Sequence, residues 1–379
     1  MIPYGRQSVD EGDIEAVVDV LRSAFLTQGQ AIPAFERAVA DRCGVAEGVA
    51  VSSGTAALHL ACAALDIGPG DLVWTSPLTF VASANCALYC GADVDFVDVE
   101  ADTGNLCAKQ LATRLESAAD AGRLPKAIIL VHYAGRPADR VKIAALADEY
   151  GVALIEDAAH ALGAVDSLGH IGDGRTARLT TFSFHPVKIV TTGEGGLLTT
   201  NDLALAARLR RLRSHGVERD VSALKAPKPG DWYYEQHELG FNYRMTDIQA
   251  ALGLSQLRRL ESFVQRRREL AARYHDKLTQ LPVGLPPADP GCLSAWHLYV
   301  IHVAERARVF AALREQGIGV QVHYMPVHLH PYYRKRFGFR EGDFPVAEHF
   351  YHQAISLPLY PDLTDEQQDI VIQTLEQVL

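Results

Sequence analysis

Three stretches of the chain carry side chains suited to chemistry on a small anionic molecule. Ser52-Ser53-Gly54-Thr55-Ala56-Ala57 is a small-residue turn running into an apolar segment of helical spacing. Such a turn lets backbone N–H groups approach a phosphate at a helix N-terminus, with the Thr55 hydroxyl as a further donor, and the same residues serve equally well as an N-cap. Glu156-Asp157-Ala158-Ala159-His160 sets a carboxylate and an imidazole at the end of a β-rich run, where Asp157 reads as a reactive group or as a cap. In Phe182-Ser183-Phe184-His185-Pro186-Val187-Lys188, alternation puts Ser183 and His185 on one face, and Lys188 emerges from the following loop, ahead of Gly193-Glu194-Gly195-Gly196. A lone loop lysine is ordinarily a solvated charge. This one has a phosphate cradle, an acid and glycine-rich backbone for company.

A phosphate anchor, an amine able to form an imine and a carboxylate to face a pyridinium nitrogen suit one cofactor, pyridoxal 5′-phosphate. The carboxylate keeps the ring nitrogen protonated, and that charge draws in the electrons of a carbanion formed beside the imine. Phe80, in Pro77-Leu78-Thr79-Phe80, is placed either to stack on such a ring or to pack in the core.

The elements that must position these groups are short β-rich runs separated by stretches of helical period: Val49–Ser53, Leu72–Ser76, Val94–Val97, Ala127–Val131, Ala153–Glu156, Leu179–Phe184 and Gly196–Thr200. Thr55–Leu65 and Val141–Tyr150 are long enough for crossovers, which implies an α/β fold with a mostly parallel sheet covered on both faces. Only about ten residues separate Phe184 from Gly196, too few for a parallel return, so the seventh strand should run antiparallel to the sixth. Ligands in such sheets sit beyond the carboxyl ends of the strands, where the three stretches fall. Beyond Thr200 the pattern turns helical at Leu203–Arg213, Lys225–Gly230 reads as an exposed loop, and Thr246–Leu278 reads as one long helix. Pro282–Pro290 reads as a linker, and His297–His302, Ala304–Gln316, Val320–His323 and Asp365–Val378 supply strand, helix, strand and helix of a smaller α/β layer. The expected division is a large domain over 1–248 that includes the N-terminal segment, and a small C-terminal domain over 249–379 that includes the long helix.

Composition narrows the partners. Of 379 residues, 36 Lys and Arg stand against 46 Asp and Glu, a net charge of −10, so no global basic field exists to hold a nucleic acid. Met1–Asp13 lacks the basic-then-apolar order of a signal, and no apolar run approaches the roughly 20 residues that span a bilayer, so a soluble cytoplasmic protein is expected. Cysteines 43, 62, 86, 90, 107 and 292 form no CxxC and read as reduced thiols. Histidines 323, 328 and 330, and the HxxH of His349 and His352, lack a full ligand complement, so no metal is expected. Arg208–Arg213 reads as a solvated helix face, with Arg213, next to Ser214-His215-Gly216, a candidate for meeting a diphosphate.

Over nearly its whole length the sequence resembles the nucleotide-sugar aminotransferases of the DegT/StrS type, within fold-type I pyridoxal-phosphate enzymes. The resemblance is carried by Leu26-Thr27-Gln28-Gly29, Ser53–Leu58, Glu156–Ala161, Phe182–His185 with Lys188, Gly193–Gly196, Arg213–Gly216 and Phe241-Asn242-Tyr243-Arg244-Met245. Within that family it is nearest to the 4-aminotransferases of pseudaminic acid synthesis, through Arg213–Gly216, Asn242–Leu257, Gln321-Val322-His323-Tyr324, Pro326 and Tyr332-Tyr333. The resemblance implies amination of C4 in a UDP-linked 2-acetamido-2,6-dideoxy-4-ketohexose, with L-glutamate as donor and pyridoxamine 5′-phosphate formed between the two half-reactions. It implies that Lys188 is the Schiff-base lysine, Asp157 the partner of the ring nitrogen, and Ser183, Thr55 and the Gly54 backbone the phosphate contacts. His160 would lie near the ring oxygen or its stacking face, and Phe80 at a ring-stacking position. Asn242 would reach the cofactor phosphate of a neighbouring subunit, so that a homodimer shares its sites, and Tyr4, Leu26, Thr27 and Gln321–Tyr324 would contact the sugar nucleotide. A family branch with histidine at the lysine position catalyses dehydration; the lysine here argues against that reaction. The alternatives are amination of another nucleotide-linked keto sugar (3-keto, or a GDP or dTDP 4-keto sugar), and a regulatory protein that keeps the fold and binds without turnover.

Overall fold

Ala127-Ile128-Ile129-Leu130-Val131 is buried at every position, as a strand covered on both faces must be. It lies inside a seven-stranded sheet in a computed structural model that describes residues 1–288 and 291–379. Helices α1 (Glu11–Arg22) and α2 (Ala31–Cys43) precede β1 (Glu47–Val51), and α3 (Gly54–Ala64) leads to β2 (Leu72–Thr75). Then come α4 (Ala82–Tyr89), β3 (Asp93–Phe96), α5 (Ala108–Asp120), β4 (Ala127–Val131), α6 (Arg140–Glu149) and β5 (Ala153–Asp157). A small ribbon, β6 (Val165–Asp166) and β7 (Gly169–His170), precedes β8 (Leu179–Ser183), β9 (Gly196–Thr200) and α7 (Leu203–Leu212). The sheet order is β1-β9-β8-β5-β4-β2-β3. All neighbours pair in parallel except β9, which runs antiparallel to both β8 and β1, as the short link before Gly196 requires.

Strand alternation sorts the core. Ile129, Ile155, Leu179 and Leu198 pack against α3, α4 and α7, whereas Ile128, Leu130 and Leu154 pack against α5 and α6 on the other face. Beneath the sheet, the buried Arg140 guanidinium bonds Asp166 at 2.6 Å and Asp173 at 2.8 Å, and Glu156 accepts from Thr176 at 2.6 Å. Glu156 thus points into this network while its neighbour Asp157 faces the site.

After the ribbon of β10 (Val217–Glu218) and β11 (Glu235–Gln236), the expected single helix over Thr246–Leu278 is two, α8 (Asp247–Leu257) and α9 (Leu260–Leu278). The helix breaks because Arg259 leaves helical geometry, at φ −103° and ψ 6°, with its guanidinium on Asp10 at 3.0 Å and on the fully buried Asp13. Beyond it lie β12 (Tyr299–His302), α10 (Arg306–Glu315), α11 (Pro331–Phe337), α12 (Pro345–Gln353), β13 (Ala354–Leu357) and α13 (Asp365–Val378). The partner of β12 is β13, which no pattern in the sequence had marked. Val320–His323, expected as a strand, makes only an isolated bridge from Gln321 to Ser356, after which the chain turns into the site. Within the expected linker, Gly284 pairs with His302 as an extra rung beside β12, and residues 289 and 290 lie outside the described residues. The smaller layer has its own core of Leu270, Tyr274, Tyr299, Ile301, Ile355 and Leu375. The N-terminus reaches it too: Ile2 pairs with Ile318, and Tyr4 O accepts from the Leu359 N–H at 3.0 Å.

Candidate active site

The carboxyl ends of β1, β5 and β8 open onto a cavity of about 450 Å³, closed from the other side by Tyr4, His323 and Tyr324. At its base is the N-terminus of α3. Ser53 is the N-cap, its hydroxyl accepting from the Ala56 N–H at 3.1 Å, while Gly54 and Thr55 line the cavity with first-turn amides that have no intrahelical acceptor. The cap reading of this turn therefore falls on Ser53, and the amides of Gly54 and Thr55 are left facing the cavity. A Cβ on Gly54 would come within 2.8 Å of Ser183 Cβ and 3.0 Å of its hydroxyl, so glycine is what lets helix and strand approach closely. Gly196 is constrained likewise, a Cβ there falling 2.3 Å from Ser53 O. Gly54→Ala should push the helix start away from Ser183 and weaken retention of a phosphate-bearing ligand by about tenfold, read by equilibrium dialysis, with little change in far-UV circular dichroism.

Lys188 projects from the loop after β8, which is braced by Lys188 N–H to His185 O at 2.8 Å and Thr192 N–H to Phe184 O at 3.0 Å. The residue is half-buried and lines the cavity. Burial lowers its pKa to about 8 against the opposing pull of Asp157. Asp157, the last residue of β5, is 5 % exposed; one oxygen accepts from the Ala159 N–H at 3.1 Å and the other from the Ser83 hydroxyl at 2.7 Å.

His160 lies 3.1 Å through Nε2 from the Tyr324 hydroxyl, and its Nδ1 has no hydrogen-bond partner among the described residues. Its ring packs 4.3 Å from that of His297, whose Nδ1 is likewise unpartnered among the described residues. His323 holds the Ser356 hydroxyl at 2.8 Å and accepts from Tyr133 OH on its carbonyl. Burial, reinforced by the Lys188 charge, keeps all three imidazoles neutral, with His160 and His297 well below the usual range and His323 at about 3. Phe80 overhangs the mouth, 56 % exposed and 6.0 Å from the Tyr324 ring.

Of the residues expected from sequence, Lys188, Asp157, His160, Gly54, Thr55, Ser183, Phe80, Tyr4, His323 and Tyr324 share this one cavity. Leu26, Thr27, Gln321, Val322 and Asn242 are not among the residues lining it. Leu26 O accepts from the Asp247 N–H at 3.0 Å, and the exposed Asn242 pairs with Ser214. Sequence reasoning missed Ser83 and His297. Ser83 lies in the first turn of α4, and Thr79, in the bend before that helix, reaches its hydroxyl at 2.8 Å; His297 has no local signal, being delivered by the Trp296 turn that the buried Arg267 holds through the Trp296 and His297 carbonyls at 3.2 and 3.3 Å.

Other candidates resolve elsewhere. Arg213 is paired with Glu36 and, at 2.7 Å, with Ala50 O, and it is not among the residues lining the cavity. Arg208, Arg210 and Arg211 pair with Asp66, Glu47 and Glu238 instead of forming a merely solvated face. His328 bonds Glu348 at 2.8 Å and His349 lies 3.1 Å from the Gln353 amide, and among the described residues no three metal-ligating groups converge. Among the described residues the cysteines are unbridged, and no helix is long and apolar enough to cross a membrane.

An amine of lowered pKa, a buried carboxylate with room for another donor, and a helix start ringed by hydroxyls fit pyridoxal phosphate. Comparison with known proteins agrees. The model of the DegT/DnrJ/EryC1/StrS aminotransferase family matches residues 7–376. The spore coat polysaccharide biosynthesis protein SpsC of Bacillus subtilis is 40 % identical over 390 aligned residues, covering 100 % of this chain and 97 % of that protein. Among solved structures, PseC of Helicobacter pylori, an aminotransferase involved in the biosynthesis of pseudoaminic acid, superposes with a TM-score of 0.91 at 30 % identity, covering 100 % of this chain and 98 % of that one. The sugar aminotransferase Spr1654 of Streptococcus pneumoniae, described as putative, superposes in its PMP-form with a TM-score of 0.92 at 31 % identity over 100 % of this chain and 99 % of that one, and has also been solved in a PLP-form.

Proposed function

The chain belongs to the DegT/DnrJ/EryC1/StrS aminotransferase family and is a pyridoxal-phosphate-dependent sugar aminotransferase; on that premise we propose that it moves an amino group from L-glutamate to C4 of a UDP-linked 2-acetamido-2,6-dideoxy-4-ketohexose, working as a cytoplasmic homodimer. The observation that carries this reading is the meeting, in one cavity, of Lys188, Asp157 and the α3 N-terminus with Tyr4, His323 and Tyr324. The bound cofactor supplies an aldehyde that accepts the donor's nitrogen and a protonated ring that takes up the electrons released at carbon.

The chain's own residues do the rest. Lys188 would hold the cofactor through its amine and, once exchanged for the donor's amine, would be free to move protons. Its freed Nζ then takes the proton from glutamate Cα and, in the second half-reaction, delivers one to sugar C4. Asp157 faces the ring nitrogen with a negative charge, and Gly54, Thr55 and Ser183 hold the phosphate. Phe80 covers one ring face, and His160, kept neutral, lies beside the ring without adding a charge that would oppose protonation of Lys188. Asn242 of a second copy completes the phosphate site. Tyr4, His323 and Tyr324 grip the sugar from the smaller layer, while Leu26, Thr27, Gln321 and Val322 extend the nucleotide path once two copies associate.

Loading the protein with pyridoxamine phosphate and offering UDP-4-keto sugars of both C5 configurations, with product mass as readout, tests this directly. The expected product carries an amine in place of the keto oxygen, and glutamate should restore the cofactor for a second turnover. The higher identity to SpsC than to PseC favours a second reading, amination of another nucleotide-linked keto sugar. Conversion of a 3-keto sugar or of a GDP- or dTDP-linked 4-keto sugar, with neither UDP substrate used, would establish that reading instead.

A further inference from the structure

We propose that Ser83, backed by Thr79, is a positioning residue that orients the Asp157 carboxylate and carries part of its negative charge, an inference that rests on the function proposed above. Both hydroxyls border the cavity, at 1 % and 3 % exposure. Ser83 Oγ is 2.7 Å from Asp157 Oδ2, and Thr79 Oγ1 is 2.8 Å from Ser83 Oγ.

The direction of these bonds follows from counting protons. An ionised carboxylate only accepts, so Ser83 donates to Asp157. A serine has a single hydroxyl proton, so once it is committed to Asp157 the bond with Thr79 must run the other way, Thr79 donating to Ser83. The contact from Ser83 Oγ to Phe80 O, at 3.3 Å, is the longer of its alternatives. Asp157 is thereby held from two elements, by the Ala159 N–H at 3.1 Å from its own turn and by Ser83 from the first turn of α4. Chains of this kind polarise one another, so each hydroxyl strengthens the next. Lone pairs remain on the carboxylate for a ring N–H, and the Ser83 donor reduces the carboxylate's hold on that proton, keeping it on the ring where it serves as electron sink.

Ser83→Ala should lower kcat about tenfold, as expected for loss of one charge-assisted hydrogen bond, while KM for glutamate stays within about twofold. A second readout is spectral. With the donor gone, Asp157 draws the ring proton toward itself, the ring becomes less positive, and the pH midpoint of the holoenzyme's visible absorbance should move upward. Because the effect passes through Asp157, Ser83→Ala added to Asp157→Asn should cost nothing further in kcat. An unchanged midpoint and kcat in Ser83→Ala, or a full second loss in the double variant, would overturn the assignment. Thr79→Val decides the matter should Ser83→Ala not fold: a smaller upward move of the midpoint supports the relay, and none overturns it. Failure of the unaltered protein to take up pyridoxal phosphate would overturn the proposed function itself and this inference with it, an outcome distinct from normal uptake with an unresponsive Ser83.

Discussion

Lys188→Ala is expected to lower kcat by at least about 10⁴, because a positioned general base contributes about 10²–10⁴ and covalent capture of the cofactor disappears with the same amine. The reducible visible absorbance of the loaded protein should vanish as well, while the cradle of Gly54, Thr55 and Ser183 still retains the phosphate. Retained turnover at even a tenth of the native rate would remove lysine from the role. The amine also predicts a pH dependence. It captures an aldehyde only as the free base, and its pKa is lowered to about 8 by burial. Capture of pyridoxal phosphate by the cofactor-free protein should therefore be near its plateau above that pH and slow about tenfold for each unit below it. A solvated lysine would continue to gain rate up to about pH 10, its ordinary range.

Asp157→Asn should lower kcat by about 10²–10³, the size typical of removing one preorganised electrostatic contact at a reacting centre. The substitution keeps shape and can keep the Ala159 N–H bond, since an amide oxygen accepts as a carboxylate oxygen does. What it removes is the negative charge 5 % exposed at the end of β5, and with it the reason for the ring nitrogen to stay protonated. Pre-steady-state measurement of the glutamate half-reaction isolates the effect from binding of the sugar. A rate within about twofold of native would reduce Asp157 to the cap of its own turn.

Much of the site was readable because its groups are local to strand ends. Asp157 and Ser183 end buried strands and Lys188 lies in the loop just after one, and a parallel sheet places the ends of its strands on one rim. The reversed β9 was equally readable, since a link of that length admits only one direction. The pairing of Arg213 was not readable because its partner, Glu36, comes from α2, far off in sequence. The break between α8 and α9 was hidden for the same reason: apolar spacing continues through Arg258 and Arg259, and the force that interrupts it is a pair of N-terminal aspartates.

Residue types and their order thus determined the sheet, the rim onto which the cavity opens and the amine, acid and small-residue turn that line it, because those depend on backbone periodicity and on the few residues after each strand. Tertiary structure alone decided which remote side chains complete the wall. His297 meets His160, Tyr324 meets His160 and Ser83 meets Asp157 across separations of 137, 164 and 74 residues. Contacts of that kind are fixed by how layers pack, and no local pattern of the chain encodes them.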